Sequence, residues 1–141
     1  MIYEFTVNGK PHGKGRPRVT TRGGYAHAYT PKTTVLYEES IRQAFAYKYG
    51  EPKEPTTAML TLIVTANFNI PSGTNKETKQ RMMDGVLLPT SRSDLDNIIK
   101  CVADALNEYL YKDDSQIVRI SASKRYAETA SIDVVVITHG S

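Results

Sequence analysis

The feature that most constrains this chain is residues 57–69, Thr-Ala-Met-Leu-Thr-Leu-Ile-Val-Thr-Ala-Asn-Phe-Asn. A run so rich in β-branched and apolar residues suits a strand at the centre of a sheet. Turn formers bound it on both sides, with Pro52 and Pro55 before it and Pro71-Ser72-Gly73 after it. The remaining elements have to supply its neighbours and its cover.

Residues 2–7, Ile-Tyr-Glu-Phe-Thr-Val, alternate apolar and polar as a half-buried strand does, and Asn8-Gly9 ends them. Thr30-Pro31 has the form of an N-cap followed by proline at the first helical position. From there Val35, Leu36, Glu39, Ile41, Gln43, Ala44, Phe45 and Tyr47 predict an amphipathic helix that stops at Gly50. Residues 75–84 suit a short solvated helix closed by Gly85. A second long helix is expected over about 95–110, with Ile98, Ile99, Val102, Ala105, Leu106, Tyr109 and Leu110 as its apolar stripe. Residues 116–122 and 131–137 read as two further strands that form a hairpin. The expected fold class is therefore α+β, one domain over residues 1–141, with a mixed sheet of about four strands and two long helices.

A length of 141 residues fits one ordinary domain. No run approaches the ~18 apolar residues of a membrane span, and the alternating start does not resemble a signal peptide, so the expected location is the cytoplasm, at the nucleoid. One cysteine and three histidines exclude a disulfide framework and a thiolate zinc site. Cys101, inside a helical pattern, reads as a small buried apolar residue.

The net charge of +3 conceals an uneven distribution. Lys10, Lys14, Arg16, Arg18, Arg22 and Lys32 fall in a segment without a single acid. Between Lys10 and Thr30 there are almost no aliphatic residues, so the segment reads as a long exposed loop with room for a short hairpin at Gly23-Gly24. A loop of that length calls for a function, and contact with a nucleic-acid backbone supplies one. Conversely, Asp94, Asp96, Asp104, Glu108, Asp113 and Asp114 outnumber Lys100 and Lys112. A polyanion suits the first segment and a metal ion the second.

Asp94 and Asp96 stand where a loop becomes a helix, so both side chains can approach one cation, and Lys100 follows on the same helical face. Magnesium prefers oxygen ligands, keeps several waters, and activates water for phosphodiester hydrolysis. The same residues also suit an ordinary capped helix with an Asp-Lys pair, and Asp113-Asp114 suits a solvated turn. Spacing alone does not bring Asp114 back to the helix start. Asp104 reads as a structural hydrogen-bonding residue. The glycines at 13, 15, 23 and 24 let backbone approach phosphates, and Lys14, Arg16, Arg18 and Arg22 are candidate phosphate contacts. Tyr25 and Tyr29 suit either stacking on unpaired bases or packing on the next helix. His12 and His27 receive no ligand role.

Asp94-Leu95-Asp96-Asn97-Ile98-Ile99-Lys100, then Asp104-Ala105-Leu106-Asn107, then Tyr111-Lys112-Asp113-Asp114-Ser115-Gln116-Ile117 resembles the signature of RusA-type Holliday-junction resolvases. Gly13-Lys14-Gly15-Arg16-Pro17-Arg18, Tyr29-Thr30-Pro31 and Phe68 with Pro71 extend the resemblance over nearly the whole chain. It implies a homodimeric, Mg2+-dependent endonuclease, with Mn2+ able to substitute, that resolves four-way DNA junctions in recombination and repair by nicking two opposed strands. By residue match, Asp94, Asp96 and Asp114 are the implied metal ligands, Lys100 the implied catalytic lysine, and Asp113 a further acidic position. A C2 dimer suits a junction of near-twofold symmetry. Two other readings stay open: a nuclease of the same fold acting on other branched DNA, and a junction-binding protein that does not cut.

Overall fold

The structure is a computed structural model that describes residues 1–15, 18–24, 26–29, 31–91 and 93–140. Arg16, Tyr25 and Thr30 lie outside the described residues, as do the side chains of Arg18, Arg22, His27 and Tyr29.

The run at residues 57–69 forms β4 (Met59–Asn69), one of the two inner strands of a four-stranded mixed sheet of order β1-β6-β4-β5. β1 (Ile2–Asn8) is one edge, β6 (Ser131–His139) lies between it and β4, and β5 (Ile117–Ala127) is the other edge. Leu60, Leu62, Val64 and Ala66 of β4, with Ile132, Val134 and Val136 of β6 and Phe5 and Val7 of β1, point to one face and are buried there. The period of two puts alternate residues on the opposite face, where no apolar cover is needed if the polar groups are satisfied. Asn67 shows how this is done: its amide donates to Ser131 Oγ (3.0 Å) and Asp133 Oδ2 (2.8 Å), and its oxygen accepts from Arg125 Nε (2.6 Å).

The expected hairpin of the last two strands does not form. β5 pairs parallel with β4, whereas β6 pairs antiparallel with β4 and β1, so β4 lies between the two. The connection at 128–130 passes over the end of β4, where Ile70 N–H donates to Ala127 O and Gly9 N–H to Ala130 O. Two strand spacings of about 4.8 Å each are within reach of so short an extended segment. Hydrophobic alternation identifies strands but carries no information about which of them pair.

Two of the three helices cover the buried face. α1 (Lys32–Tyr49) begins one residue later than expected, because Pro31 occupies the cap position, where its carbonyl accepts from Thr34 and Val35 N–H. Its inward residues are Thr34, Ile41 and Phe45, while Val35, Leu36 and Tyr47, assigned to the apolar stripe from sequence, are exposed. Phe45 is the hub of an aromatic cluster, with ring centroids 5.3 Å from Tyr3, 5.6 Å from Phe5, 5.1 Å from Tyr49 and 5.9 Å from Tyr109. α2 (Lys76–Met83) is capped by Asn75 and buries none of its residues.

α3 (Leu95–Leu106) is the strongly amphipathic element, burying Ile98, Cys101, Val102, Ala103, Ala105 and Leu106. It ends four residues before the expected Leu110. Glu108 adopts a positive φ of 61°, and its N–H turns back to Tyr111 O (2.8 Å). That turn lets Tyr111 fold fully inside, its hydroxyl donating to Ala103 O. In the basic segment, β2 (Arg18–Thr20) and β3 (His27–Tyr29) pair as a small antiparallel hairpin. Among the described residues, no helix is long and apolar enough to cross a membrane.

Candidate active site

Asp94 is the residue at the N-cap of α3, with extended backbone (φ −67°, ψ 136°), and its side chain makes no capping hydrogen bond. It is exposed, as are Asp96 and Lys100. Asp96 Oδ1 accepts the N–H of Asn97 at 3.0 Å. Among the described residues, Asp94, Asp96 and Lys100 enter no ion pair, so the plain Asp-Lys helix pair is not formed. The motif therefore presents two carboxylates and an ammonium to solvent at one end of an otherwise buried helix.

Asp113 and Asp114 have separate situations. Asp113 caps the 3₁₀ turn Asp114–Gln116 through a capping box: its carboxylate accepts Ser115 N–H (3.1 Å) and its own N–H donates to Gln116 Oε1 (2.9 Å). Bonds from the Ser115 hydroxyl and backbone hold the Asp113 carboxyl below the usual carboxylate range. Gln116 in turn donates to Thr56 O and Ala58 O, both at 2.9 Å, tying the turn to the approach of β4. Asp114 is exposed.

The two acidic groups sit at opposite ends of α3. Its 12 residues span about 18 Å. Asp114 follows the C-terminal end, where Tyr111 is bonded to Ala103, while Lys124, far along β5, donates to Ser91 O (2.8 Å) just before the motif. β5 thus runs back along the helix and leaves Asp114 behind. Accordingly, no group of three His, Cys, Asp or Glu residues placed to hold a metal occurs among the described residues. The convergence of Asp94, Asp96 and Asp114 is not achieved within one chain.

The basic segment is anchored directly against the motif. Lys14 N–H donates to Asn97 O (3.0 Å), and a Cβ on Gly13 would stand 3.1 Å from Asn97 Cβ and 3.6 Å from Ser93 Cβ. Gly15 N–H donates to the buried Thr34 Oγ1 (3.1 Å), and a Cβ at Gly15 would meet that oxygen at 2.8 Å. A side chain at Gly15 would force Thr34 or Pro31 to shift, and one at Gly13 would press on Asn97. The Lys14 ammonium is held by Glu38 (3.0 Å) on α1 and Asp104 (3.1 Å) on α3, with its side chain 16% exposed. Lys14 is thus engaged as a clamp between two helices, and Asp104 has the structural role expected of it.

Burial works against the Lys14 charge, but the two carboxylates outweigh it and raise its pKa above the ordinary 10.5. The clamp's contribution is therefore complete below the ordinary lysine value and fades as pH rises through the raised one. Lys14→Met is expected to cost about 2 kcal/mol, between the worth of a surface pair and that of a broken buried one. Urea denaturation at neutral pH checks this, and the gap between wild type and variant should narrow in strong alkali.

Cys101 is fully buried, and its thiol is pushed up to about 12, first by burial and then by the nearby Glu38 charge. It is the packing residue expected from sequence. The sequence reading named Lys10 in the basic segment and Phe68 in the resemblance but missed Tyr126 and Lys124, and with them the gathering of all four at the motif end of the sheet; positions 10, 68, 124 and 126 gave no local signal of proximity.

Comparison with known proteins agrees with the resemblance. Residues 8–137 match the family model described as endodeoxyribonuclease RusA. The chain is also similar to the uncharacterized protein YqaN of Bacillus subtilis (strain 168), with 33% identity over 135 residues, covering 94% of each chain. An exposed Asp-x-Asp-x-x-x-Lys helix start, a basic segment clamped beside it at Gly13–Gly15, and a family match over nearly the full length lead to one conclusion: the chain belongs to the RusA family of endodeoxyribonucleases.

Proposed function

We propose that this chain is a divalent-metal-dependent endonuclease that resolves four-way DNA junctions as a homodimer, by paired nicks. The observation that carries the proposal is the exposed Asp94 and Asp96 pair with Lys100 one turn along, in a chain of an endodeoxyribonuclease family. Two carboxylates without ion-pair partners among the described residues are the donor set that Mg2+ takes, with Mn2+ a plausible substitute on the same oxygen ligands. When bound, such an ion polarises a phosphoryl oxygen and lowers the pKa of water. Lys100, on the face of α3 that carries Asp96, offers a positive charge to the scissile phosphate or the leaving oxygen.

The third carboxylate comes, in this reading, from a second copy. A twofold axis across α3 exchanges the ends of the helix, so Asp114 of each copy meets Asp94 and Asp96 of the other, and both sites form together. Val118 (63% exposed) and Ile120 (50% exposed) on the open edge strand β5 lie between the two ends and supply apolar surface for that contact. In this reading Arg16, Arg18 and Arg22 of the basic segment are phosphate contacts, and Asp113 supports Asp114 by capping the turn that carries it.

The testing experiment is digestion of a synthetic four-way junction in Mg2+ or Mn2+, with strand ends mapped, beside three-way and duplex DNA of the same sequence. Symmetric nicks in opposed strands of the four-way substrate are expected. Equal cutting of the duplex, or binding with no cutting in either metal, overturns the proposal.

A further inference from the structure

β4 and β5 run parallel and finish together beyond the motif end of α3, with Phe68 and Tyr126 as paired neighbours on the same face. There the helix layer no longer covers the sheet. The two rings, both only partly buried, face a cleft of about 500 Å³ closed by Lys10, Asn69, Pro71, Pro89 and Ser91. Pro89, which is buried, and the exposed Pro71 both line it.

The cleft is cationic at its rim and opens beside the candidate motif. Lys124 Nζ lies 5.4 Å from the Phe68 ring centroid and donates to Ser91 O (2.8 Å). Lys10 stands at the other side, where β1 has just ended. Ser91 is three residues before Asp94, so whatever fills the cleft lies against the segment that delivers the carboxylates. Neither Phe68 nor Tyr126 belongs to the aromatic cluster around Phe45, and among the described residues neither ring pairs with another.

Half-buried aromatic rings, apolar walls, an amide and a hydroxyl at the edge, and two ammonium groups at the rim describe a particular ligand. The ligand is flat, bears hydrogen-bonding groups on its edge and is attached to phosphates. We propose that this cleft receives one unpaired DNA base next to the phosphate presented to Asp94 and Asp96. Tyr126 stacks on the base, Phe68 under its Lys124 ammonium packs beside it, Asn69 and Ser91 meet the base edge, and Lys10 faces a flanking phosphate. A base inside a continuous duplex is stacked on both sides and does not enter, so the cleft favours DNA whose strands separate, as at a crossover. The inference deepens the nuclease reading and rests on it for the identity of the neighbouring site.

The test is a cycle between the protein and the DNA. Binding to a four-way junction is read by fluorescence anisotropy, with Ca2+ replacing Mg2+ to keep the strands intact, for wild type, Tyr126→Ala and Tyr126→Phe. Each nucleotide at and next to the branch point is replaced in turn by an abasic residue. Base-aromatic stacking is worth about 1–3 kcal/mol, so Tyr126→Ala should weaken binding about 5- to 150-fold, while Tyr126→Phe binds as wild type. At one nucleotide the abasic change should weaken wild type similarly and Tyr126→Ala no further, a coupling that loss of structure alone does not produce. Affinity of Tyr126→Ala within twofold of wild type, or losses that multiply at every position, overturns the proposal. A wild-type protein that shows the coupling but cuts no DNA in Mg2+ or Mn2+ keeps the base cleft and overturns the nuclease reading.

Discussion

Asp96→Asn and Asp114→Asn, each inactive alone, are expected to recover nicking of a four-way junction when the two variants are mixed and allowed to exchange subunits. In the proposed homodimer each variant by itself has the same defect in both sites. Loss of one charged ligand removes several kcal/mol of transition-state stabilisation, so each should fall by about 10³-fold or more, since 1.36 kcal/mol is tenfold in rate. In a mixed dimer, one site receives both substitutions and the other receives none. Random exchange makes about half the dimers mixed, so about a quarter of wild-type sites should return, as single nicks without the paired second cut.

The physical basis is the length of α3. Asp94 and Asp96 are at its start, while Asp114 follows a turn pinned to its last residues by Tyr111 and Ala103. A mixture that stays silent while wild type cuts means that each site draws all its carboxylates from one chain. Junction binding provides the control: Asp96→Asn should bind the junction at least as tightly as wild type, because in the proposed site the substitution removes a negative charge that faces phosphates.

The largest effect on stability is expected at Phe45. Its side chain is 2% exposed and meets Tyr3 and Phe5 of β1, Tyr49 at the end of α1, and Tyr109 in the turn after α3. Phe45→Ala removes the one ring common to all of these contacts, and large-to-small changes at such sites cost about 3–5 kcal/mol. Denaturant unfolding should show that loss with little change in the slope. Phe45→Leu, which keeps most of the volume, should lose less than about half as much. An Ala variant within 1 kcal/mol of wild type would mean that the cluster relaxes to fill the space.

How far the fold is legible in the sequence differs by element. β1 and the buried stripe of α3 follow from apolar periodicity, because one wet face and one dry face leave a pattern that any reader of the chain can find, and β4 follows from its density of β-branched and apolar residues. α1 is less legible: its inward positions include Thr34, whose hydroxyl serves Gly15 and His12, while Val35 and Leu36 face out. A polar side chain can be buried when a distant segment supplies its partner, and that partner is invisible locally. The end of α3 is obscured in the same manner, since the helix stops where Glu108 turns left-handed so that Tyr111 can reach Ala103. Intrinsic helical preference around Leu110 yields to that packing.

The candidate site divides along the same line. The placing of Asp94, Asp96 and Lys100 at one helix start is legible because helix geometry relates residues a few positions apart, whereas Asp113, read only as part of a solvated turn, is seen to cap that turn in the structure. The sequence by itself therefore determined the central strand, the two long helices, the family and the acidic helix start. Only the tertiary structure decided that β4 separates β5 from β6, that Lys14 is clamped by Glu38 and Asp104, that Asp114 lies at the far end of α3, and that Phe68 and Tyr126 share a cleft with Lys10 beside Ser91. The reason is physical: short-range periodicity is written in the order of the residues, whereas contacts between distant segments depend on how the sheet is threaded.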